Sequence, residues 1–213
     1  MKPPCPILFE KDCPHCKRDS FALKHILWEN NFFYIVCDVH PLTKGHILII
    51  PKSHLSCIGA FPQIFFTEFE KQYQKVKNFL IKSYGNYALF EHGVIGQTVF
   101  HCHLQCFPFS GRISDIVPEA DKYREIKKIN DLISEYHVHG CYLFVEVENK
   151  LFLVNRGIGK PGFFRDRFAT YFGHPERGNW KKAKDNQQLK KLFIKDILSL
   201  RSSWLQYNTL GNN

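Results

Sequence analysis

The first half of the chain alternates short apolar runs with polar turns, the pattern of a β-sheet. The runs are rich in aromatic and β-branched side chains, which favour extended backbone. They predict strands at residues 32–37, 47–50, 87–90 and 99–107. Between the second and third runs, residues 65–81 carry apolar side chains at helical spacing, and the helix that they predict ends near Gly85.

The second half predicts helices around a hairpin. Residues 141–147 and 151–154 are apolar runs that flank Glu148-Asn149-Lys150, a sequence suited to a tight turn. Apolar spacing predicts three further helices, at residues 121–136, 163–172 and 187–205. The chain as a whole therefore predicts an α+β fold with a mainly antiparallel sheet.

Two segments lack a hydrophobic period. Residues 1–20 are rich in Pro, Cys and Lys and predict an irregular arm. Residues 108–112 (PFSGR) are turn-forming, and we place a domain boundary there. The predicted organisation is a catalytic domain at residues 1–112 and a C-terminal extension, a hairpin plus helices, at residues 113–213.

The composition is that of a globular protein, since 44% of the 213 residues are hydrophobic and 23% are charged. No apolar run approaches the roughly 20 residues that a membrane span needs, and the first residues lack the apolar stretch of a secretory signal. We therefore expect a cytoplasmic protein without membrane contact. The 29 basic residues exceed the 20 acidic ones, which favours anionic partners such as nucleotides, phosphates or nucleic acid.

The eight cysteines are scattered through a chain that is too large to need disulfide staples. They lie at positions 5, 13, 16, 37, 57, 102, 106 and 141. We expect reduced thiols, in keeping with a cytoplasmic protein. One pair, in Cys13-Pro14-His15-Cys16, has the spacing of metal ligands.

The segment richest in chemistry is residues 96–106 (GQTVFHCHLQC). Successive side chains of a strand point to opposite faces, so His101, His103 and Gln105 share one face. Cys102, Leu104 and Cys106 share the other face and suit a core. The alternation alone fits an exposed strand face and a pair of metal ligands equally well.

This segment resembles the signature of the histidine triad superfamily, which reads His, any, His, any, then His or Gln. A second block, residues 38–54 (DVHPLTKGHILIIPKSH), resembles the strand-turn-strand of that family, and a predicted helix separates the two blocks. The resemblance covers residues 5 to about 110. It implies a HIT-like fold, with helices packed on one face of a mainly antiparallel sheet and a C-terminal α/β extension beyond it. Relatives are commonly homodimers, so a homodimer is expected here.

The resemblance implies that His103 is the nucleophile. A neutral imidazole attacks an α-phosphorus and forms a nucleotidyl-histidine, which the next acceptor discharges. The other ring nitrogen keeps its proton, and the resemblance implies a backbone carbonyl as its acceptor. Gln105 stands where nucleotide hydrolases of the family carry a third histidine. Gln is typical of branches similar to hexose-1-phosphate uridylyltransferases and diadenosine-tetraphosphate phosphorylases.

Four upstream residues match family positions that contact the nucleotide. Gln97 and Thr98 match positions at the phosphates or leaving group, although Thr98 also simply suits a strand. Asp38 matches an acidic residue that hydrogen-bonds ribose hydroxyls, and it fits a turn cap as well. His92 falls where several relatives have an Asn near the phosphate.

The resemblance also implies a zinc site. Bacterial relatives bind zinc through residues that match Cys13, Cys16, His54 and His101 here. Two thiolates and two imidazoles close a tetrahedral set with no position for water, so the zinc would be structural. The alternative for the Cys-x-x-Cys pair is a redox site, but that would need a strand before it and a helix after it. His15 is a rival ligand or a surface loop histidine.

The C-terminal extension contains Gly162-Phe163-Phe164-Arg165-Asp166-Arg167-Phe168, which resembles a segment of longer members of the superfamily. Arg165 and Arg167 are candidate phosphate-binding residues, or surface arginines of an amphipathic helix. The extension either covers the sheet or builds a dimer interface.

Three functions follow. The first is an enzyme that transfers a nucleotidyl group through His103, of transferase or phosphorylase type, since the Gln105 amide donates no proton to a poor leaving group. The second is a hydrolase of dinucleoside polyphosphates or nucleoside phosphoramidates. The third is a basic nucleic-acid-binding module with a vestigial site. Nucleic acid is the least favoured partner, because the segment lacks the interleaved aromatic and basic residues of single-strand binders.

Overall fold

The computed structural model describes residues 9–210 and places every strand in one antiparallel sheet of order β1-β2-β3-β5-β4-β7-β8-β6. The strands are β1 (Ile26–Glu29), β2 (Phe33–Cys37), β3 (Ile47–Pro51), β4 (Ala88–Glu91), β5 (Leu104–Phe107), β6 (Tyr123–Ile126), β7 (Leu143–Val147) and β8 (Lys150–Val154). The helices are α1 (Gln63–Tyr84), α2 (Ile113–Ile116), α3 (Asp131–His139), α4 (Phe163–Tyr171), α5 (Trp180–Ala183) and α6 (Gln187–Leu210). The predicted α+β class with a mainly antiparallel sheet is confirmed.

Most predicted elements are present. The runs at 32–37, 47–50 and 87–90 are β2, β3 and β4, and the long helices are α1, α4 and α6. Helix α1 ends at Tyr84 and is followed by Gly85, whose φ of 87° lies in the region that favours glycine. The predicted hairpin is β7–β8, with Glu148 and Asn149 at φ 54° and 60°, the positive values that a two-residue primed turn needs.

The prediction of a strand over residues 99–107 is wrong in its first half, because β5 begins only at Leu104. The ladder of β5 with the neighbouring β3 ends at the pair of Leu104 and Ile49, and the residues before Leu104 do not pair with β3. The N–H of Cys102 donates instead to the carbonyl of Leu55, at 2.6 Å. His101 and His103 therefore lie on an irregular segment that leads into β5.

The prediction of a helix over residues 121–136 is also wrong in part. Residues 123–126 form β6, which pairs with β8 at the edge of the sheet, and the helix α3 starts at Asp131. The β7–β8 hairpin offers an unpaired edge, and pairing with it outweighs the local helical spacing.

Helices pack on both faces of the sheet, whereas the family resemblance implied one. On the first face, Phe79 of α1 and Trp204 of α6 pack in a large core with the apolar side chains of β2, β3 and β5. On the second face, α4 packs through Phe168 against Phe90 and Phe107, whose rings lie 5.4 and 4.8 Å from it. These aromatic residues give the second face a core of its own.

The second face has a gap in its apolar cover. One cluster lies over β2 and β3, around Tyr34 and Leu48, and the other lies over β4, β7 and α4. Between them, β5 presents Gln105, which pairs opposite Leu48. Polar chemistry is concentrated in this gap.

The sheet runs across the predicted boundary at residues 108–112, because β4 pairs with β7 over four residue pairs. The division into residues 1–112 and 113–213 stays a prediction. Among the described residues, no helix has the length and apolar character to cross a bilayer. Seven described cysteines are free thiols, and Cys5, with the rest of residues 1–8 of the predicted arm, lies outside the described residues. The homodimer and the cytoplasmic location also stay predictions.

Candidate active site and metal centre

A cleft of about 510 Å³, partly open to solvent, fills the gap on the second face of the sheet. Two parts of the chain form its walls. The N-terminal wall comes from the arm, the turn after β2 and the segment before β5, and the C-terminal wall comes from α4 and the segment around α5. The lining residues that matter for chemistry are His15, Phe21, Asp38, His40, Thr98, His103, Gln105, Arg165 and Trp180.

His103 is held in one tautomer by the backbone. Its Nδ1 lies 2.6 Å from the carbonyl oxygen of His101. Because a carbonyl only accepts, Nδ1 carries the proton and Nε2 carries the lone pair. Within residues 9–210, Nε2 has no hydrogen-bond partner, and the ring lines the cleft. Burial lowers the pKa of His103, which keeps the imidazole neutral and nucleophilic.

Gln105 is oriented by Arg165. The Nη1 of Arg165 donates to Oε1 of Gln105 at 3.0 Å, so the amide oxygen is turned toward the guanidinium. The amide nitrogen is therefore directed away from Arg165, and the side chain lines the cleft beside His103.

Asp38 forms a buried ion pair with the same guanidinium, at 2.8 Å from Nη1 to Oδ2. Its Oδ1 accepts the N–H of His40 at 2.9 Å, so the carboxylate also caps its turn. Burial alone would raise the pKa of Asp38, but the charge of Arg165, with His46 and the His40 N–H, holds it well below the ordinary value. The carboxylate lines the cleft with two of its acceptor positions already occupied.

The other predicted contact residues separate into two groups. Thr98 lines the cleft, and its Oγ1 accepts a hydrogen bond from Nε1 of Trp180 at 2.9 Å. Gln97 and His92 are buried and do not line the cleft. The Nε2 of Gln97 donates to the carbonyl of Ser56 at 2.6 Å, and Nε2 of His92 accepts the N–H of Phe164 at 3.0 Å. The structure thus brings Thr98 to the cleft but not His92 or Gln97.

Aromatic rings line the outer part of the cleft. The ring centroids of Phe21 and Trp180 lie 6.4 Å apart with an interplanar angle of 33°, and those of His40 and Trp180 lie 5.7 Å apart. Faces of this kind suit a flat ligand group such as a nucleobase.

The predicted metal ligands Cys13, Cys16, His54 and His101 form one cluster, with their ligand atoms all within 4.8 Å of one another. The Sγ of Cys13 lies 3.4 Å from Nδ1 of His101, and the Sγ of Cys16 lies 3.3 Å from Nδ1 of His54. A tetrahedral zinc ion sets its sulfur and nitrogen ligands about 3.5 Å apart. The donor set and its spacing therefore fit zinc.

The surroundings of the cluster also fit a metal. The Nε2 of His101 donates to the carbonyl of Pro51 at 2.8 Å, which leaves Nδ1 free to bind a cation. Burial lowers the pKa of His101 to about 3, so this ring is neutral. Burial raises the pKa of Cys16 to about 11, so a cation would have to displace the thiol proton.

His15 is neither a fifth member of this cluster nor a surface residue. It is 5% exposed, and its ring makes edge contacts with His101 and His103, at centroid distances of 5.4 and 5.1 Å. The Cys-x-x-Cys loop folds over the irregular segment before β5, and this inserts His15 between the Cys/His cluster and the cleft.

Two features of the C-terminal wall were missed by reasoning from sequence. The sequence indicates no role for Trp180 and does not distinguish Arg165 from Arg167. A signal for Arg165 was present, since it lies three residues before the buried Phe168 and so shares its apolar face of α4. Nothing in the local sequence indicates that its partners are Gln105 and Asp38, which lie 60 and 127 residues away.

Comparison with known proteins adds a family context. The model of the HIT domain matches residues 22–109. An adenylylsulfatase HINT3 of Arabidopsis thaliana is 27% identical over 144 residues, 63% of this chain and 72% of that protein. An uncharacterized HIT-like protein of Borreliella burgdorferi is 33% identical over 105 residues, 46% of this chain and 75% of that protein. A crystal structure of a HIT family protein from Bacillus anthracis is 30% identical, covers 48% of this chain and 76% of that one, and has a TM-score of 0.42.

Proposed function

Because this chain belongs to the HIT family of nucleotide-processing proteins, we propose that it transfers a nucleotidyl group through a covalent adduct on Nε2 of His103. The observation that carries the proposal is the bond from Nδ1 of His103 to the His101 carbonyl, at 2.6 Å. It directs the lone pair of the ring to the other nitrogen, on a side chain that lines the cleft.

The reaction has two balanced steps. In the first, the Nε2 lone pair attacks the α-phosphorus, the N–P bond forms, and the bond to the leaving oxygen breaks with its electron pair on that oxygen. In the second, an acceptor oxygen attacks the same phosphorus, and the N–P bond breaks. The Nδ1–H of His103 keeps donating to the His101 carbonyl, and this hydrogen bond stabilises the positive charge of the ring while the adduct exists.

The chemical type of the leaving group and acceptor is inferred from the side chain of Gln105. Its amide can donate a hydrogen bond to a phosphoryl oxygen but supplies no proton to a leaving group. Leaving groups that are stable as anions, such as phosphate-like oxygens, suit such a site. This supports a transferase or phosphorylase of the uridylyltransferase-like branch.

A hydrolase is the second candidate, and a relative favours it. The Arabidopsis relative is named an adenylylsulfatase, and sulfate, like phosphate, leaves without needing a proton. In this alternative the same His103 adduct is discharged by water.

The remaining residues bind the substrate. Phe21, His40 and Trp180 hold the flat base, and Thr98 lies within reach of the leaving group. Asp38 keeps its proposed contact to the sugar only through acceptor positions that Arg165 and His40 leave free. Gln97 and His92, proposed from sequence as phosphate contacts, would act from behind the cleft wall, through Ser56 and Phe164.

Zinc is proposed to bind Cys13, Cys16, His54 and His101 with a structural role. When bound, it would cross-link the N-terminal arm to the segment that carries His103. The cluster that supports this has two thiols, two imidazoles and no further ligand among the described residues. Elemental analysis should find about one zinc per chain, and an intact fold without zinc would contradict the proposal.

The transfer reaction is tested with labelled nucleotides, with and without phosphate or a sugar phosphate. Product that depends on the acceptor supports the transferase or phosphorylase, whereas equal turnover in water alone supports the hydrolase. Binding of RNA or DNA at physiological salt is measured in parallel. Strong polymer binding with no nucleotide turnover would overturn the enzyme and favour the nucleic-acid module.

A further inference from the structure

Arg165 is a cation buried on the second face of the sheet. Only 5% of its surface is exposed, and it lies on the side of α4 that also carries Phe168. A buried guanidinium is stable only when its donors are satisfied and its charge is compensated. The identity of its acceptors therefore shows what the residue can do.

All five N–H donors of Arg165 have acceptors. The Nη1 donors reach Oδ2 of Asp38 at 2.8 Å and Oε1 of Gln105 at 3.0 Å. The Nη2 donors reach the carbonyls of His40 at 2.7 Å and Arg177 at 3.4 Å, and Nε reaches the carbonyl of Gly178 at 3.2 Å. A substrate phosphate would have to break one of these bonds, so phosphate binding is not what the residue is arranged for.

The contact with Gln105 has a consequence for catalysis. The two ends of a glutamine amide have nearly the same shape, so packing alone does not decide which end faces a ligand. A guanidinium has only donors. The amide oxygen, which is an acceptor, therefore faces it, and the amide nitrogen, which is a donor, is turned away. With the oxygen held by Arg165, the NH₂ group is the end left to donate to a ligand in the cleft that Gln105 and His103 both line.

We infer that Arg165 is a positioning residue that acts through Gln105: it fixes the amide so that its NH₂ group donates to a phosphoryl oxygen at the reacting phosphorus. Asp38 in turn anchors the guanidinium through the buried ion pair. The inference rests on the proposed function, and it makes α4 of the C-terminal extension part of the catalytic apparatus.

Arg167 is a matched control on the same helix. Its Nη1 donates to the carbonyl of Ile116 at 2.7 Å, and its guanidinium contacts Glu119, both outside the lining of the cleft. The two arginines share helix, charge and size, and only Arg165 touches Gln105.

The test is a double-mutant cycle on the rate of adduct formation at His103, with Arg165→Met, Gln105→Ala and the double variant. Each single substitution should slow the rate by about 100- to 1,000-fold, the range for loss of an oriented donor. The double variant should be no more than about 3-fold slower than Gln105→Ala, because Arg165 has nothing left to orient. Arg167→Met should stay within about 2-fold of the unmodified chain. Effects of Arg165→Met and Gln105→Ala that multiply would overturn the inference.

Two further variants keep the cycle interpretable. Arg165→Met leaves Asp38 buried without its partner, so Asp38→Asn with Arg165→Met removes both charges and should fold while remaining slow. Gln105→Glu retains an acceptor for Arg165 but has no NH₂ group, and it should be as slow as Gln105→Ala. A fast Gln105→Glu variant would contradict the need for a donor.

A readout without turnover separates this inference from the proposed function. In ¹⁵N NMR spectra, the side-chain NH₂ signals of Gln105, assigned by their loss in Gln105→Glu, should be sharp in the unmodified chain and in Arg167→Met. They should shift or broaden in Arg165→Met. Unchanged signals would overturn the positioning role, whereas failure to form any adduct on the unmodified chain would remove the proposed function alone.

Discussion

The two walls of the cleft differ in how their polar groups are held. On the N-terminal wall, the contact that fixes His103 spans two residues of the chain and uses a backbone carbonyl. On the C-terminal wall, Arg165 reaches partners 60 and 127 residues away and uses side chains at both ends. The nucleophile is thus set by local backbone, while the groups around it are oriented by long-range packing. Substitutions in the two walls should therefore differ in their effects on turnover, stability and substrate binding.

The largest effect is expected on the N-terminal wall. His103→Asn removes the nucleophile, and turnover should fall by at least about 10³-fold with little change in the thermal midpoint. Steady-state kinetics measure the turnover of the variant, and a melting curve measures its thermal midpoint. Turnover that survives in a folded variant would exclude the adduct.

Removal of the proposed zinc should affect folding first. Cys16→Ser should lower the free energy of unfolding by about 3 kcal/mol or more, which shifts the thermal midpoint by roughly 6–12 °C. Cys141→Ser is the control, because this half-buried cysteine lies outside the cluster. Equal midpoints for the two variants in zinc-containing buffer would contradict a structural metal.

On the C-terminal wall, the loss of an aromatic face should weaken binding rather than chemistry. Trp180→Ala should raise KM by about 5- to 30-fold, as expected for a lost stacking contact of about 1–2 kcal/mol, with kcat changed much less. Trp180→Phe retains a ring and should recover most of the affinity. A kcat effect of the same size as the KM effect would place Trp180 in the chemical step instead.

The pH dependence of the ion pair is an effect similar in size to that of Trp180, but on stability instead of binding. The pKa of Asp38 is lower in the folded chain than its ordinary value, so its stabilising contribution is present above about pH 4 and is lost as the pH falls. Chemical unfolding should show the unmodified chain losing about 2 kcal/mol relative to the Asp38→Asn, Arg165→Met variant between pH 5 and pH 2.5. A constant difference across this range would contradict the ion pair.

The same contrast explains what could be predicted from sequence. The strands β2, β3 and β4 and the helices α1, α4 and α6 follow from local periodicity, and the Cys/His cluster was expected because its four positions resemble the zinc ligands of bacterial relatives. The start of β5 depended on where the ladder with β3 stops, at the pair of Ile49 and Leu104, and β6 depended on the free edge of a distant hairpin. Neither was encoded near the residues concerned.

Arg165 shows the same limit in the site itself. A run such as Phe163-Phe164-Arg165 indicates a helix with an apolar face, but it does not show that Asp38 and Gln105 lie across from it. Arg167, two residues later, carries the same side chain and contacts Glu119 instead. Only the packing of α4 on the sheet distinguishes the two.

The most direct test of the account is mass spectrometry of the chain after brief incubation with a panel of nucleotides and acid-free quenching, followed by peptide mapping. The account predicts a mass gain of one nucleoside monophosphate on the peptide that contains His103, absent from His103→Asn. Turnover of a nucleotide without any such adduct, or an adduct confined to another residue such as His15 or His40, would contradict it.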